Sequence, residues 1–79
     1  MIKLTIYQDT AKIWSLDGKW HRANGYAVIN SDGFRSWYVN DKCHRTDGPA
    51  RIWPNGYVEY WINGIHVTEY ELMFIEPTV

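Results

Sequence analysis

The segment KCHRTDG, residues 42–48, places a thiol, an imidazole, a guanidinium and a carboxylate within five positions, at Cys43, His44, Arg45 and Asp47. A thiolate beside an imidazole is an activated nucleophile, and histidine titrates near neutral pH. One interpretation of the segment is therefore a cysteine-based acid–base site. The other is that it belongs to a structural unit, and the surrounding sequence distinguishes the two.

The same pattern occurs 23 residues earlier, where His21 and Arg22 are preceded by Trp20 instead of a cysteine. Internal periodicity of this kind indicates a repeat architecture. Ungapped alignment of residues 14–36 with 37–59 gives eight identities in 23 positions, at Trp14/Trp37, Lys19/Lys42, His21/His44, Arg22/Arg45, Gly25/Gly48, Ala27/Ala50, Ile29/Ile52 and Gly33/Gly56. A catalytic centre has no reason to recur once per structural unit. We therefore expect no enzymatic activity, no catalytic residues and no cofactor.

Each 23-residue unit contains two short segments of β-branched and aromatic residues joined by a turn, which predicts a β-hairpin. Hairpins are expected at about 3–16, 26–39 and 49–62, with turns at QDTA, SDG and PNG. Gly33 and Gly56 supply the positive φ that such turns need, whereas Thr10 does not, so the first turn is expected to be of another type.

These hairpins predict a single mainly β domain over residues 1–79: an antiparallel meander of three 23-residue repeats in one curved sheet. Strand alternation predicts one almost wholly apolar face and one mixed face. The apolar set comprises Leu4, Ile6, Trp14, Leu16, Ala27, Ile29, Trp37, Val39, Ala50, Ile52, Tyr60 and Ile62. The mixed face becomes more aromatic toward the C-terminus.

The C-terminal residues leave this pattern. Thr68 is followed three residues later by Glu71, which forms a capping box, and Pro77 ends the run of helix formers. We predict a short helix at about 69–76 that caps the array, with Tyr70, Met73 and Phe74 covering part of one sheet face.

The connectors between hairpins, residues 17–25 and 40–48, have a structural interpretation. Asn24-Gly25 and Asp47-Gly48 suit tight turns. In this interpretation histidine satisfies unpaired carbonyl groups, and arginine pairs with aspartate or lies along an aromatic ring. A zinc site is not expected, because His21, His44, His66 and Cys43 include no closely spaced ligand pair.

An alternative is that the connectors bind phosphate or RNA through a basic row at one edge of the sheet. The row consists of Lys19, His21, Arg22, Lys42, His44 and Arg45. Against it stands the net charge of −1, which provides no long-range attraction for a polyanion.

The stretch WYVNDKCHRTDGPARIWPNGYVEYWING resembles variant MORN-type hairpin repeats, and its HRxDGPA form is similar to repeats of small bacteriophage proteins. The resemblance implies an antiparallel hairpin array with a binding role, and it supplies no catalytic residues. It departs from the pattern at Asp41, where glycine is usual, and in WINGIHVTE, which lacks His-Arg.

The resemblance and the small size together imply a phage-type accessory protein that inhibits or redirects a host protein or ribonucleoprotein by stoichiometric binding. Examples of such targets are CRISPR effectors and toxins of abortive infection. Aromatic rings near arginines are typical interface anchors. The expected partner-binding residues are Phe34, Tyr38, Trp53, Tyr57, Trp61, Arg35 and Arg51. An alternative partner is a second copy of the chain, bound through this patch or through an open edge strand.

Cellular location follows from composition. Cys43 is the only cysteine, which excludes a disulfide within the chain and fits a reducing compartment. The first ten residues alternate apolar and polar side chains, unlike a signal peptide, and no apolar run is long enough for a membrane span. We expect a cytoplasmic protein without membrane contact, located in the host cytoplasm if it is phage-encoded.

Overall fold

The computed structural model describes residues 1–73, which form short β-strands followed by one helical turn. The strands are β1 (Ile2–Ile6), β2 (Lys12–Leu16), β3 (Lys19–Trp20), β4 (Val28–Ile29), β5 (Arg35–Ser36), β6 (Tyr38–Val39), β7 (Lys42–Cys43), β8 (Arg51–Ile52), β9 (Val58–Ile62) and β10 (Ile65–Val67), and the helix is α1 (Glu69–Leu72). The predicted fold class is confirmed: the protein is mainly β, with antiparallel strands in a meander-like sheet and a short C-terminal helix.

The main sheet has the strand order β1-β2-β4-β5-β8-β9-β10, and β3 pairs with β2 beside this path. Strands β6 and β7 form a separate two-stranded sheet. The longest pairing joins β1 to β2, from Ile2 opposite Leu16 to Ile6 opposite Lys12. The outer edge of β1 is therefore one edge of the whole sheet.

Three turns close the hairpins β1–β2, β4–β5 and β8–β9 with the same hydrogen bonds, at residues 7–11, 30–34 and 53–57. In the first, the Tyr7 amide donates to the Ala11 carbonyl and the Thr10 amide donates to the Tyr7 carbonyl. Thr10 takes the position of Gly33 and Gly56 and adopts φ 72°. The expectation of another turn type at QDTA was wrong, because the hydrogen bonds of the turn hold even a β-branched residue in the left-handed region.

The connectors contain a second kind of hairpin that the sequence analysis did not predict. Two-residue turns at 17–18, 40–41 and 63–64 join β2 to β3, β6 to β7 and β9 to β10. Both residues of each turn have positive φ, as type I′ turns require. Asp41 lies at the position that Gly18 and Gly64 occupy in the other two turns, and it adopts φ 68°. The expected connectors thus include strands of their own.

The fully buried positions are few. Ala27 and Ala50 have no exposed surface, and Val28, Ser36 and Cys43 are also buried. The expected apolar face is only partly covered, since Leu4 and Ile6 are 44% and 60% exposed. The physical reason is position: both residues lie on β1 at the edge of the sheet, and the described part of the chain extends only 16 Å along its shortest axis.

Helix α1 begins after Thr68, whose hydroxyl accepts a hydrogen bond from the Glu71 amide while the Glu71 carboxylate accepts one from the Thr68 amide. The capping box is therefore present. Tyr70 and Met73 are exposed, so the expectation that they cover a sheet face was wrong. Phe74 and the remainder of the predicted helix to residue 76 lie outside the described residues. Among residues 1–73, no helix has the length and apolar character needed to cross a bilayer.

Candidate interaction surfaces

The two histidines of the His-Arg pairs bind backbone amides in the next two-residue turn. Nδ1 of His21 accepts from the Asn40 amide at 3.2 Å, and Nδ1 of His44 accepts from the Asn63 amide at 2.9 Å. A ring nitrogen that accepts carries no hydrogen, so Nδ1 acts as the acceptor in both imidazoles. The expected role of histidine was therefore wrong in one respect: it satisfies an amide donor and not a carbonyl.

The backbone beside each histidine joins the same two hairpins. The Arg22 amide donates to the Tyr38 carbonyl and the Arg45 amide donates to the Trp61 carbonyl, both at 3.0 Å. Asp41 and Gly64 donate their amides to the carbonyls of Trp20 and Cys43. Every one of these bonds recurs at a spacing of 23 residues, which shows that His-Arg connects successive hairpins.

Both arginine side chains lie flat against a tryptophan of their own hairpin. The Arg22 guanidinium is 3.9 Å from the Trp14 ring centroid and that of Arg45 is 4.3 Å from the Trp37 centroid. Each also donates to the carbonyl four residues later, at Tyr26 and Pro49. The aromatic contact follows the sequence prediction, as does the ion pair between Arg45 and Asp47 at 2.8 Å.

A glycine closes the other side of each guanidinium. A Cβ atom added to Gly25 would lie 2.9 Å from Cζ of Arg22, and one added to Gly48 would lie 3.0 Å from Cζ of Arg45. Real Cβ atoms essentially never come closer than 3.0 Å to another atom, so each guanidinium would have to shift to admit a side chain at the glycine. The guanidinium therefore lies between an indole ring and a bare backbone, which explains why tryptophan, arginine and glycine recur together.

A surface concavity of about 370 Å³ lies between the two connectors. Its lining residues are His21, Ala23, Asn24, Trp37, Val39, His44, Arg45, Thr46 and Asp47. Of the expected basic row, His21, His44 and Arg45 face this concavity, whereas Lys19 and Lys42 are exposed on β3 and β7. The row is thus divided between a recess and the outer surface.

The concavity has little positive charge at neutral pH. Burial lowers the pKa of His44, which favours its uncharged form. Arg45 is paired with the Asp47 carboxylate, and that hydrogen bond lowers the pKa of Asp47. The uncharged form of His44 and a guanidinium already paired with a carboxylate provide polar donors, but they provide only weak attraction for an anion.

Cys43 is only 3% exposed. Burial raises the pKa of its thiol, although the nearby Arg51 guanidinium opposes this effect. A buried protonated thiol is a poor nucleophile. Within residues 1–73, no group of three or more His, Cys, Asp or Glu side chains is placed to hold a metal ion.

Three of the expected partner-binding residues form an aromatic ladder, which we define as Phe34, Trp53 and Tyr57. The rings of Phe34 and Trp53 meet edge to face with centroids 5.0 Å apart, and those of Trp53 and Tyr57 are 5.6 Å apart. The pairings of β5 with β8 and of β8 with β9 place these positions opposite one another. Tyr57 is 57% exposed, and Phe34 and Trp53 are partly exposed.

The other expected residues have contacts within the protein. Arg51 donates to the Tyr38 hydroxyl at 3.1 Å and lies 4.4 Å from the Trp61 ring centroid. Nε1 of Trp61 in turn donates to Glu59. Ser36 pairs with Arg51 and shares its face of the sheet. Arg35 precedes Ser36, so its side chain points to the opposite face. There its guanidinium is 5.3 Å from the Tyr26 ring centroid.

Two aromatic rings that were not among the expected partner-binding residues also pack beside them. Trp20 packs edge to face on Tyr38 at 5.1 Å and remains exposed, and Tyr26 packs on Trp37 at 5.7 Å. His66 stacks on Trp61 at 5.1 Å. The Asp17-Gly18 dipeptide is a hairpin-turn signal, and it could have predicted the short strand Lys19–Trp20 that follows. That strand places the Trp20 ring against Tyr38 of the next hairpin.

The fold and these contacts define a thin antiparallel hairpin protein with an aromatic ladder at one group of turns. No protein-family model, no curated protein and no solved structure matches the chain. The resemblance to variant MORN-type repeats therefore stays a prediction.

Proposed function

We propose that the protein is a non-enzymatic binding module that contacts a protein partner through the aromatic ladder. The observation that carries this proposal is the placement of Phe34, Trp53 and Tyr57 in one partly exposed row across three strands. Rings already ordered by packing lose little entropy on binding, and aromatic residues are enriched among interface hot spots. By contrast, Tyr38, Arg51 and Trp61 serve the scaffold.

Helix α1 supports this assignment by its position. Its Glu69 carboxylate accepts a hydrogen bond of 2.6 Å from the Tyr60 hydroxyl. Neighbouring residues of a strand point to opposite faces, so Tyr60 faces away from Glu59 and Trp61. Glu59 pairs with Arg51 and lies on the ladder face. The helix is thereby anchored on the face opposite the ladder.

The proposed partner is a host protein or ribonucleoprotein that the module inhibits or redirects by stoichiometric binding, in the manner of a small phage accessory protein acting on a CRISPR effector or a toxin. This part of the proposal rests on the resemblance of the HRxDGPA repeats. The protein carries its binding groups on a scaffold whose histidines, arginines and cysteine are engaged in folding, which supports binding over catalysis.

The experiment is affinity capture from bacterial lysate with the tagged full-length chain. Tyr57→Ala is expected to abolish recovery of a partner at about 1:1 stoichiometry, because truncation of a central aromatic anchor removes on the order of 2 kcal/mol or more. Tyr7→Ala is the matched control, since Tyr7 is an equally exposed tyrosine in the equivalent first turn. Equal loss in both variants, or no loss in either, would count against the ladder.

A second candidate function is RNA or nucleotide-phosphate binding beside the concavity. The observation that favours it is that His21, His44 and Arg45 line one recess of about 370 Å³. The exposed lysines of the adjoining strands β3 and β7, Lys19 and Lys42, are the candidate phosphate contacts, and the exposed Trp20 ring is available for base stacking.

This candidate is tested with a labelled single-stranded oligonucleotide in a fluorescence anisotropy titration at several salt concentrations. The double substitution of Lys19 and Lys42 by alanine is expected to weaken binding and reduce the salt slope by roughly 2 for the two lost contacts. Both lysines are exposed, so the fold is retained. Binding that is unchanged in this variant contradicts the candidate.

A further inference from the structure

Strand β1 presents an open edge with three outward-facing apolar residues. It lies at one end of the sheet order, and no described residue pairs with its outer side. Ile2, Leu4 and Ile6 occupy alternate positions on one face and are 46%, 44% and 60% exposed. Open edge strands are normally protected from pairing by proline, a bulge or charged side chains. Strand β1 has no proline, and its only charged residue is Lys3.

The hydrogen bonding of the first hairpin determines which backbone groups face outward. The Tyr7 amide donates to the Ala11 carbonyl, so Tyr7 and Ala11 form a hydrogen-bonded pair. Such pairs alternate along an antiparallel ladder, which assigns Thr5 with Ile13 and Lys3 with Ser15 to the same class. The N–H and C=O groups of Ile2, Leu4 and Ile6 therefore point away from β2. Trp14 confirms this phase, since its amide and carbonyl bond to Ala27 and His21 on the far side of β2.

From this arrangement we propose that β1 is a homodimerisation strand, which pairs antiparallel with β1 of a second copy about a two-fold axis at Leu4. In this register Leu4 lies opposite the second Leu4, and Ile2 lies opposite the second Ile6. All three outward N–H groups of each copy then find a carbonyl partner. The exposed apolar side chains face one another as cross-strand pairs, which adds to the stability of the pairing.

Charge and strand length together select this register and favour a second copy as the occupant. An axis at Thr5 would place Ile2 opposite Gln8, which lies in the turn beyond the end of β1. With the axis at Leu4, Lys3 lies opposite Thr5 of the other chain, and no like charges meet. A shift by two residues that centres the axis on Lys3 would oppose two lysines, which is destabilising, and would leave outward groups of Ile6 unpaired. The segment Ile2–Ile6 is thus complementary to itself, as an isologous interface requires.

The first test measures mass by light scattering after size-exclusion chromatography of the full-length chain over a wide concentration series. The wild-type protein is expected to shift from monomer to dimer, and Leu4→Lys is expected to stay monomeric, since two lysines would then face each other at the axis. Ile65→Lys is the matched control, because Ile65 is an exposed isoleucine on β10 at the opposite edge. Circular dichroism verifies that both variants remain folded.

The second test fixes the register by disulfide trapping. In a hydrogen-bonded antiparallel pair the opposed Cα atoms are about 5.5 Å apart, which suits a disulfide. Leu4→Cys is expected to give a covalent dimer on mild oxidation, whereas Lys3→Cys is not, because its opposite residue is Thr5. The native thiol of Cys43 is buried and does not interfere.

Three results would overturn the proposal. The first is a wild-type chain that stays monomeric at every concentration. The second is a dimer that Ile65→Lys dissociates and Leu4→Lys does not, which would assign the interface to β10. The third is equal trapping by both cysteine variants, which would show random encounter in place of a defined pairing.

Discussion

Nδ1 of His44 accepts a hydrogen bond of 2.9 Å from the backbone amide of Asn63, 19 residues further along the chain. Asn63 has a positive φ and begins the two-residue turn between β9 and β10. His21 and Asn40 repeat the relationship one unit earlier at 3.2 Å. The side chain that most suggested catalysis thus connects two hairpins through the outward amide of a turn.

Replacement of His44 by alanine is expected to destabilise the protein by about 1 kcal/mol, because it leaves the partly buried amide of Asn63 without its acceptor. The measurement is the free energy of unfolding from a urea titration. His21→Ala is the comparison and should cost less, since its bond is longer and its site is more exposed. A neutral His44→Ala would contradict the connecting role.

Stability is expected to fall as the pH is lowered below about 6.5, the ordinary pKa of histidine. Burial lowers the pKa of folded His44, so in mildly acidic solution the unfolded chain binds a proton that the folded chain does not. The contribution of neutral His44 to the free energy of unfolding is fully present above the pKa of histidine in the unfolded chain. It is lost as the pH falls through the lower pKa of His44 in the folded chain. Protonation of Nδ1 also removes the acceptor of the Asn63 amide.

Urea titrations at several pH values measure this dependence, and His44→Ala is expected to flatten it. The pKa of Asp47 is lowered from 3.8 by its hydrogen bond to Arg45, so its own contribution is lost only in more acidic solution. The two windows are therefore separable. Identical pH profiles for the wild-type and His44→Ala proteins would assign the effect to other groups.

Gly48→Ala is expected to destabilise the protein by about 1 kcal/mol, the low end of the range for overpacking, because the group that must move is the end of a flexible arginine side chain. The added Cβ would lie 3.0 Å from Cζ of Arg45 and would displace the guanidinium from the Trp37 ring. Gly48 has no positive φ, so the effect isolates the steric term. In a double-mutant cycle, Gly48→Ala should become nearly neutral when Arg45 is already alanine. Additive losses would show that the two residues are not coupled.

Thr10→Gly is expected to stabilise the protein by about 1 kcal/mol, because a residue with a Cβ atom pays roughly 1–2 kcal/mol in the left-handed region. Thr10 adopts φ 72° where the equivalent turns have glycine. Thermal and urea unfolding measure the gain. Gly33→Thr is the reciprocal control and should lose a similar amount, since nothing lies within 4 Å of an added Cβ there and only the backbone strain changes. A destabilising Thr10→Gly would show that the threonine makes a compensating contact.

Much of the local structure was predictable from residue types. The Asp-Gly and Asn-Gly signals predicted the turns at Gly33 and Gly56, and Thr68 with Glu71 predicted where α1 begins. The Asp17-Gly18 turn carried the same signal but was assigned to a connector, because the strand that follows it, β3, has only two residues and shows no alternation. Thr10 was misjudged because its φ is imposed by the hydrogen bonds of its turn.

The candidate surfaces were only partly predictable. Of the residues grouped as one aromatic patch, Phe34, Trp53 and Tyr57 lie together in the ladder, while Trp61 joins Arg51 in an internal network. Sequence alternation assigns a side chain to a face, but it does not state whether a neighbouring guanidinium will cover the ring. Leu4 was assigned to the apolar face, and its position on the edge strand β1 leaves it 44% exposed.

The sequence by itself determined the mainly β class, the positions of the long turns and the capped start of the helix, because each depends on the conformational preferences of a few adjacent residues. The tertiary structure alone decided that histidine is an amide acceptor, which rings stay open to solvent, and that β1 has an unpaired apolar edge. Those features depend on groups 19 or more residues apart and on the place of β1 at the edge of the sheet. The burial of a side chain and its hydrogen bonds to residues far along the sequence depend on which groups the fold places next to it.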